Sequence, residues 1–87
     1  MPIAFVRLPA TLQQLAIGKT TLYARIAKGT VPPPVKFSER VSAWPQHEVD
    51  AVLRALLRSA SEEELKELVA HLIRLRSKPN NLGTIAA

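Results

Sequence analysis

Three consecutive prolines, Pro32-Pro33-Pro34, divide this chain. A proline run cannot continue a helix and holds the backbone extended. No helix can therefore cross residues 32–34, and the two halves of the chain must be joined by an extended link. Gly29, just upstream, is placed to end a helix as a C-terminal cap.

Ahead of that break, Gly18 to Gly29 reads as one short helix bracketed by two glycines. Leu22 and Ile26 are four apart, share a face and can anchor the helix to a core. Its first turn carries Lys19, Thr20 and Thr21, side chains suited to phosphate oxygens and base edges. Tyr23, Ala24, Ala27 and Lys28 fall on other faces. Before this helix, Leu8, Leu12 and Leu15 recur at spacings of four and three, a helical stripe. Pro9 suits a first turn, where its missing N–H is not needed. This first helix has only about two turns, too few to persist alone, so it must dock. Ile17-Gly18 is expected to make the turn, with Gly18 supplying a backbone conformation that other residues resist. Helix, glycine turn, helix is the helix-turn-helix pattern, whose second helix enters a major groove. A short surface helix between two others is the alternative.

Beyond the prolines, Val35-Lys36-Phe37 and Val41-Ser42-Ala43 alternate apolar and polar residues, as two short strands do. Ser38-Glu39-Arg40 forms the tip of this small β-wing, and Lys36 and Arg40 are available for backbone phosphates. Met1 to Val6 is apolar, a strand or a tail packed on the core. Trp44 is the only tryptophan and is expected in the core because of the area it buries. Pro45 suits the start of a helix over Gln46–Arg58, with Val49, Val52, Leu53, Leu56 and Leu57 as a broad apolar face. Ser59-Ala60 breaks it. Ser61-Glu62-Glu63-Glu64 is a capping box, and its acids favour a helix N-terminus. The helix it opens runs to Ser77, with an apolar stripe of Leu65, Leu68, Val69, Leu72, Ile73 and Leu75. Pro79-Asn80-Asn81 stops it. Leu65, Leu68, Leu72 and Leu75 keep a heptad-like spacing over about two heptads, short of a sustained coiled coil. The stripe can pack on its own core or form a homodimer. The expected fold is mainly α with a small β-hairpin. A winged helix-turn-helix would occupy residues 1–58, a C-terminal helix 59–78 and a flexible tail 79–87.

Composition narrows the function. The 87 residues fit one small domain, with no room for a cleft between domains. The absence of cysteine excludes disulfides and thiolate metal sites. His47 and His71 are far apart and lack ligand spacing, so neither a metal nor another cofactor is expected. Ser42, His47 and Asp50 offer the residue types of a triad. However, His47 and Asp50 would lie three apart on one short helix, in a domain too small to exclude water around them. No enzyme activity and no small-molecule substrate are expected. The net charge is +5 and the isoelectric point near 10.3, which points to an acidic partner. The excess is local: residues 1–58 hold eight Lys or Arg against three acids, while residues 59–87 hold four of each. No segment approaches the roughly 20 apolar residues of a membrane span. The N-terminus lacks the pattern of a signal peptide. A cytoplasmic location and no membrane contact are expected.

These residues carry a resemblance. The run Gly18-Lys19-Thr20-Thr21-Leu22-Tyr23, then Gly29, Val31-Pro32 and Pro34-Val35-Lys36-Phe37, then Arg40 to Trp44, then Glu48-Val49-Asp50-Ala51 and Leu53 resembles the AlpA family of small phage and prophage regulators. That family is similar to excisionases and to the DNA-binding half of MerR-type regulators. The likeness covers roughly Val6 to Leu57. It implies a winged helix-turn-helix on double-stranded DNA at the bacterial nucleoid, with Lys19, Thr20, Thr21 and Tyr23 facing DNA and Lys36 and Arg40 on the wing. Lys28, at the end of the same helix, completes the candidate set. The chain departs from the pattern in four places. Gly18 stands where a Ser cap is common, Arg25 where an apolar residue is usual, and Val52 where a second Trp is common. Glu39 puts a carboxylate at the wing tip.

Three functions remain open from sequence. One is a sequence-specific transcriptional regulator of prophage or mobile-element genes. A second is an excisionase-like architectural factor that bends DNA. The third is a protein-interaction adaptor, using the helices from Pro45 onward and binding no DNA.

Overall fold

A computed structural model describes residues 4–76. The elements follow in the order β1 (Phe5–Val6), α1 (Leu8–Leu15), α2 (Lys19–Lys28), β2 (Val35–Lys36), β3 (Ser42–Pro45), α3 (Gln46–Leu57) and α4 (Glu62–Arg76). The protein is mainly helical with one small antiparallel sheet, a winged-helix-like arrangement.

The core is a cluster of Leu15, Leu22, Val31, Trp44, Val49 and Val52, against which Val6, Leu8, Leu12, Ile17, Ile26 and Leu53 pack. Every element through α3 contributes, apart from β2, so two helices too short to persist alone are held by shared burial. Thr11 is also buried in α1, its hydroxyl satisfied by donating to the Arg7 carbonyl at 3.0 Å.

The turn between α1 and α2 differs from expectation. Ala16, not Gly18, takes the left-handed conformation, with φ 58° and ψ 41°. The Ile17 N–H reaches back to the Leu12 carbonyl and the Ala16 N–H to that of Gln13, both at 3.2 Å. This closure requires a left-handed residue at Ala16, and Ile17 then packs on the core. Gly18 is left extended, at φ −85° and ψ 170°, as the first cap of α2. Gly29 does end α2 in the left-handed conformation, at φ 85°.

The sheet runs β1-β3-β2, with Val6 opposite Trp44, Phe5 opposite Pro45, Val35 opposite Ala43 and Lys36 opposite Ser42. Phe5–Val6 of the N-terminal segment is therefore a strand. It extends the second wing strand to Pro45, beyond the Val41–Ala43 read from alternation. Phe37 lies past the end of β2, yet its N–H still donates to Val41 at 2.8 Å. Side chains alternate across a sheet, so Val6 and Trp44 face the core while Phe5, Pro45, Ala43, Val35 and Phe37 share the other face. The Phe5 and Phe37 rings meet edge to face at 5.0 Å, although their strands are not neighbours. The small Ala43 between them, 1% exposed, lets them close over the central strand.

The buried side of α3 is also displaced from expectation. Leu57 is 85% exposed and Leu56 38%, while Glu48, Val49, Val52 and Ala55 are buried. Arg76, at the end of α4, bonds Glu48 in the first turn of α3, so the two helices pack antiparallel. Ser59, at φ 57°, makes the corner. The capping box forms as read: the Ser61 N–H donates to Glu64 Oε1 at 2.7 Å, and the Glu64 N–H donates to Ser61 Oγ at 3.2 Å. The Ser61 N–H, donated to the carboxylate, and next the Ser61 side chain favour its ionised form, so Glu64 is held below its ordinary pKa. Within the apolar stripe of α4, Val69 and Leu72 are buried against the chain itself, Leu65 and Leu68 are half-buried, and Ile73 and Leu75 are exposed. The expected helix stop at Pro79 and the tail lie outside the described residues.

Candidate nucleic-acid interface

The exposed surface of α2 follows from what its other side buries. Leu22 is fully buried and Ile26 half-buried. At 100° per residue, Thr20, Ala24 and Ala27 fall opposite Leu22, with Tyr23 on one flank and Thr21 and Lys28 on the other. All six are exposed, as is Lys19 in the first turn. Ala24 and Ala27 were not singled out in the sequence. Their small side chains lie at the centre of this outward face, where bulk would hold the helix away from any surface it met.

The seven candidate residues do not form one cluster. Lys19, Thr20 and Thr21 share the first turn of α2, with Tyr23 beside them. Lys28 sits in the last turn, about 13 Å further along the axis at a rise of 1.5 Å per residue. There it lines a recess of about 240 Å³ with Arg25, Thr30, Val31, Val52, Leu56, Glu62 and Leu65. Arg25, whose position departs from the family pattern, is half-buried in that wall. Lys36 lies on β2 and Arg40 at the hairpin tip, both exposed. Among the described residues, no carboxylate forms a salt bridge with Lys19, Lys28, Lys36 or Arg40, whereas Lys66 pairs with Glu62 and Arg76 with Glu48. Four cations are thus available to an external anion.

The remaining polar groups hold the scaffold. Gln14 and Gln46 exchange amide hydrogen bonds at 3.2 and 2.8 Å, tying α1 to α3, and Gln46 also donates to Asp50 at 2.9 Å. The Asp50 carboxylate of the triad considered from sequence is therefore engaged by Gln46. No group of three or more His, Asp or Glu able to hold a metal occurs among the described residues. Among them, too, no helix is long and apolar enough to cross a membrane. The arrangement offers hydroxyl and ammonium donors on the first turn of α2, and Lys36 and Arg40 on the hairpin.

Two features behind this surface escaped the sequence. The Trp44 indole N–H donates to the Pro32 carbonyl at 2.8 Å, and Arg76 bonds both Glu48 and Pro33. An acid in the first turn of α3, and an arginine in the last turn of α4, were the only traces of the second.

A family model described as Prophage CP4-57 regulatory protein (AlpA) matches residues 4–54, more than half of the chain and everything from β1 into α3. No curated protein and no solved structure matches the chain.

Proposed function

This chain belongs to the AlpA family of prophage regulatory proteins, and from that premise we propose that it regulates transcription by binding a specific duplex DNA site. The observation that carries this reading is α2: a helix anchored by a buried Leu22, whose exposed first turn presents Lys19, Thr20 and Thr21 without an acidic partner. In the proposed complex α2 lies in the major groove. Lys19, Thr20 and Thr21 reach base edges, and Tyr23 lies against the groove wall. Ala24 and Ala27 permit the helix to approach closely. Lys28, Lys36 and Arg40 contact backbone phosphates, which position the protein without reading sequence. The acting unit spans residues 1–58, and the protein works at the nucleoid.

The experiment is genomic footprinting to find the site, followed by binding to that duplex across a salt series. Log affinity should fall with log salt, by about 0.9 for each phosphate contact. Arg40→Ala should weaken specific and random DNA by similar factors and make the slope shallower by about 0.9. Glu39→Lys should steepen it. A protein that binds no DNA in a salt-sensitive way contradicts this reading and favours the adaptor.

A further inference from the structure

The root of the wing is held in an unusual way. Prolines have no N–H, so Pro32-Pro33-Pro34 can be tethered by hydrogen bonds only through its carbonyl oxygens. Two of the three are taken by side chains from distant elements. Trp44, on β3, donates to Pro32 at 2.8 Å, and Arg76 Nη2, on α4, donates to Pro33 at 2.7 Å. The strand β2 begins two residues after Pro33.

Arg76 is itself fixed. Its Nε donates to Glu48 Oε2 at 2.8 Å and its Nη2 to Glu48 Oε1 at 2.5 Å. The Glu48 side chain is 1% exposed, in the first turn of α3. A latch between α3 and α4 would need only the carboxylate. The third bond, to Pro33, joins that latch to the wing. Beyond its root the wing is held by the pairing of β2 with β3 and by the Phe5–Phe37 ring contact, while residues 36–40 are all exposed.

We propose that Arg76 is a positioning residue for the wing: by holding Pro33 against Glu48 it sets the direction of the hairpin, and the phosphate contacts of Lys36 and Arg40 depend on it. This rests on the DNA-binding reading for its consequence, though not for the hairpin geometry. It gives α4, which lies beyond the family-matched residues, a part in binding without touching DNA.

The test uses the full chain, a duplex DNA fragment and two variants. Glu48→Gln/Arg76→Met removes both charges together, so no buried charge is orphaned. Arg76→Lys keeps a cation beside Glu48 but replaces the planar fork with one ammonium. The Leu22 amide, which donates to Gly18 within α2, reports the fold, and the Phe37 amide, which donates to Val41, reports the hairpin. In a variant that keeps Leu22 protected, Phe37 should exchange about tenfold faster or more. In that variant Arg40→Ala should also leave the salt slope unchanged, whereas in the parent it lowers it by about 0.9. A general loss of stability would speed exchange at Leu22 as well and would not erase the effect of Arg40→Ala. Unchanged Phe37 exchange, or a retained Arg40→Ala effect, overturns the proposal. So does loss of Leu22 protection in both variants, which would make Arg76 a stabiliser of the whole fold. If the parent binds no DNA, the regulatory reading fails, and Phe37 exchange alone decides whether Arg76 positions the hairpin.

Discussion

The indole N–H of Trp44 donates to the carbonyl oxygen of Pro32 at 2.8 Å, twelve residues away, and both residues are under 2% exposed. One side chain thus fills the core and satisfies a carbonyl that water cannot reach. Trp44→Phe keeps most of the apolar volume but leaves Pro32 unpaired, which should cost about 1–3 kcal/mol. Trp44→Ala also opens a cavity and should cost about 3–5 kcal/mol. Urea denaturation checks both. A Phe variant as stable as the parent would show that the hydrogen bond contributes nothing.

The turn between α1 and α2 predicts an unusual ordering of glycine substitutions. Ala16 sits at φ 58°, where a Cβ is strained. Ala16→Gly should therefore stabilise the protein by about 0.5–1 kcal/mol, despite the added freedom of the unfolded chain. Gly29→Ala, at φ 85°, should destabilise it by about 1 kcal/mol. Gly18 is extended, and a Cβ there meets nothing within 4 Å. Gly18→Ser should therefore be accepted, gaining a few tenths of a kcal/mol as a side-chain cap. Melting temperatures of the three variants give the order directly.

Acidification should loosen the start of α4. The Glu64 pKa is lowered first by the Ser61 N–H donated to its carboxylate and next by the Ser61 side chain, so its folded value lies below its unfolded one. The stabilisation is present above the ordinary glutamate pKa and is lost as pH falls through the lowered folded value. A carboxyl titration by NMR should place Glu64 below the ordinary glutamate value. Ser61→Ala should return it toward the ordinary value and cost about 1 kcal/mol of cap stability.

The stripe of α4 makes a separable prediction. Leu72 is 6% exposed within a single chain, so Leu72→Ala should cost about 2–5 kcal/mol whatever the oligomeric state. Leu65, Leu68 and Leu75 retain exposed area for the proposed homodimer. Sedimentation of Leu68→Asp distinguishes the two uses. A folded monomer from a dimeric parent assigns Leu68 to a second copy, and an unfolded chain assigns it to the core.

Local signals carried much of the fold. The proline run, the Leu22–Ile26 pair and the Ser61–Glu64 box each specify structure within a few residues, and each forms where its chemistry places it. Tertiary contacts decided what those signals left open. Gly18 looked like the strained residue of the turn, but the position is set by where the Ile17 N–H closes on Leu12. Leu56 and Leu57 fit an apolar stripe of α3, but Glu48 and Ala55 are buried instead. The exposure of Thr20, Thr21 and Tyr23 was legible because helical spacing puts them off the Leu22 face; that of Lys19, three residues before Leu22, was not. The recess that Lys28 lines was not legible either, because it is completed by Glu62 and Leu65 of α4. The bonds of Arg76 to Glu48 and Pro33 span 28 and 43 residues, beyond the reach of any periodicity.

The most direct measurement is the ratio of affinities for the footprinted site and for random duplex, at one salt concentration, in the parent and in Lys19→Ala. Lys19 is exposed in the first turn of α2 and makes no salt bridge with any described residue, so its loss should leave the melting temperature unchanged. If that turn reads the groove, the ratio should drop by a factor equivalent to about 1–3 kcal/mol, and Thr21→Ala should lower it as well. A ratio unchanged in both variants, with the fold intact, would contradict base reading by α2.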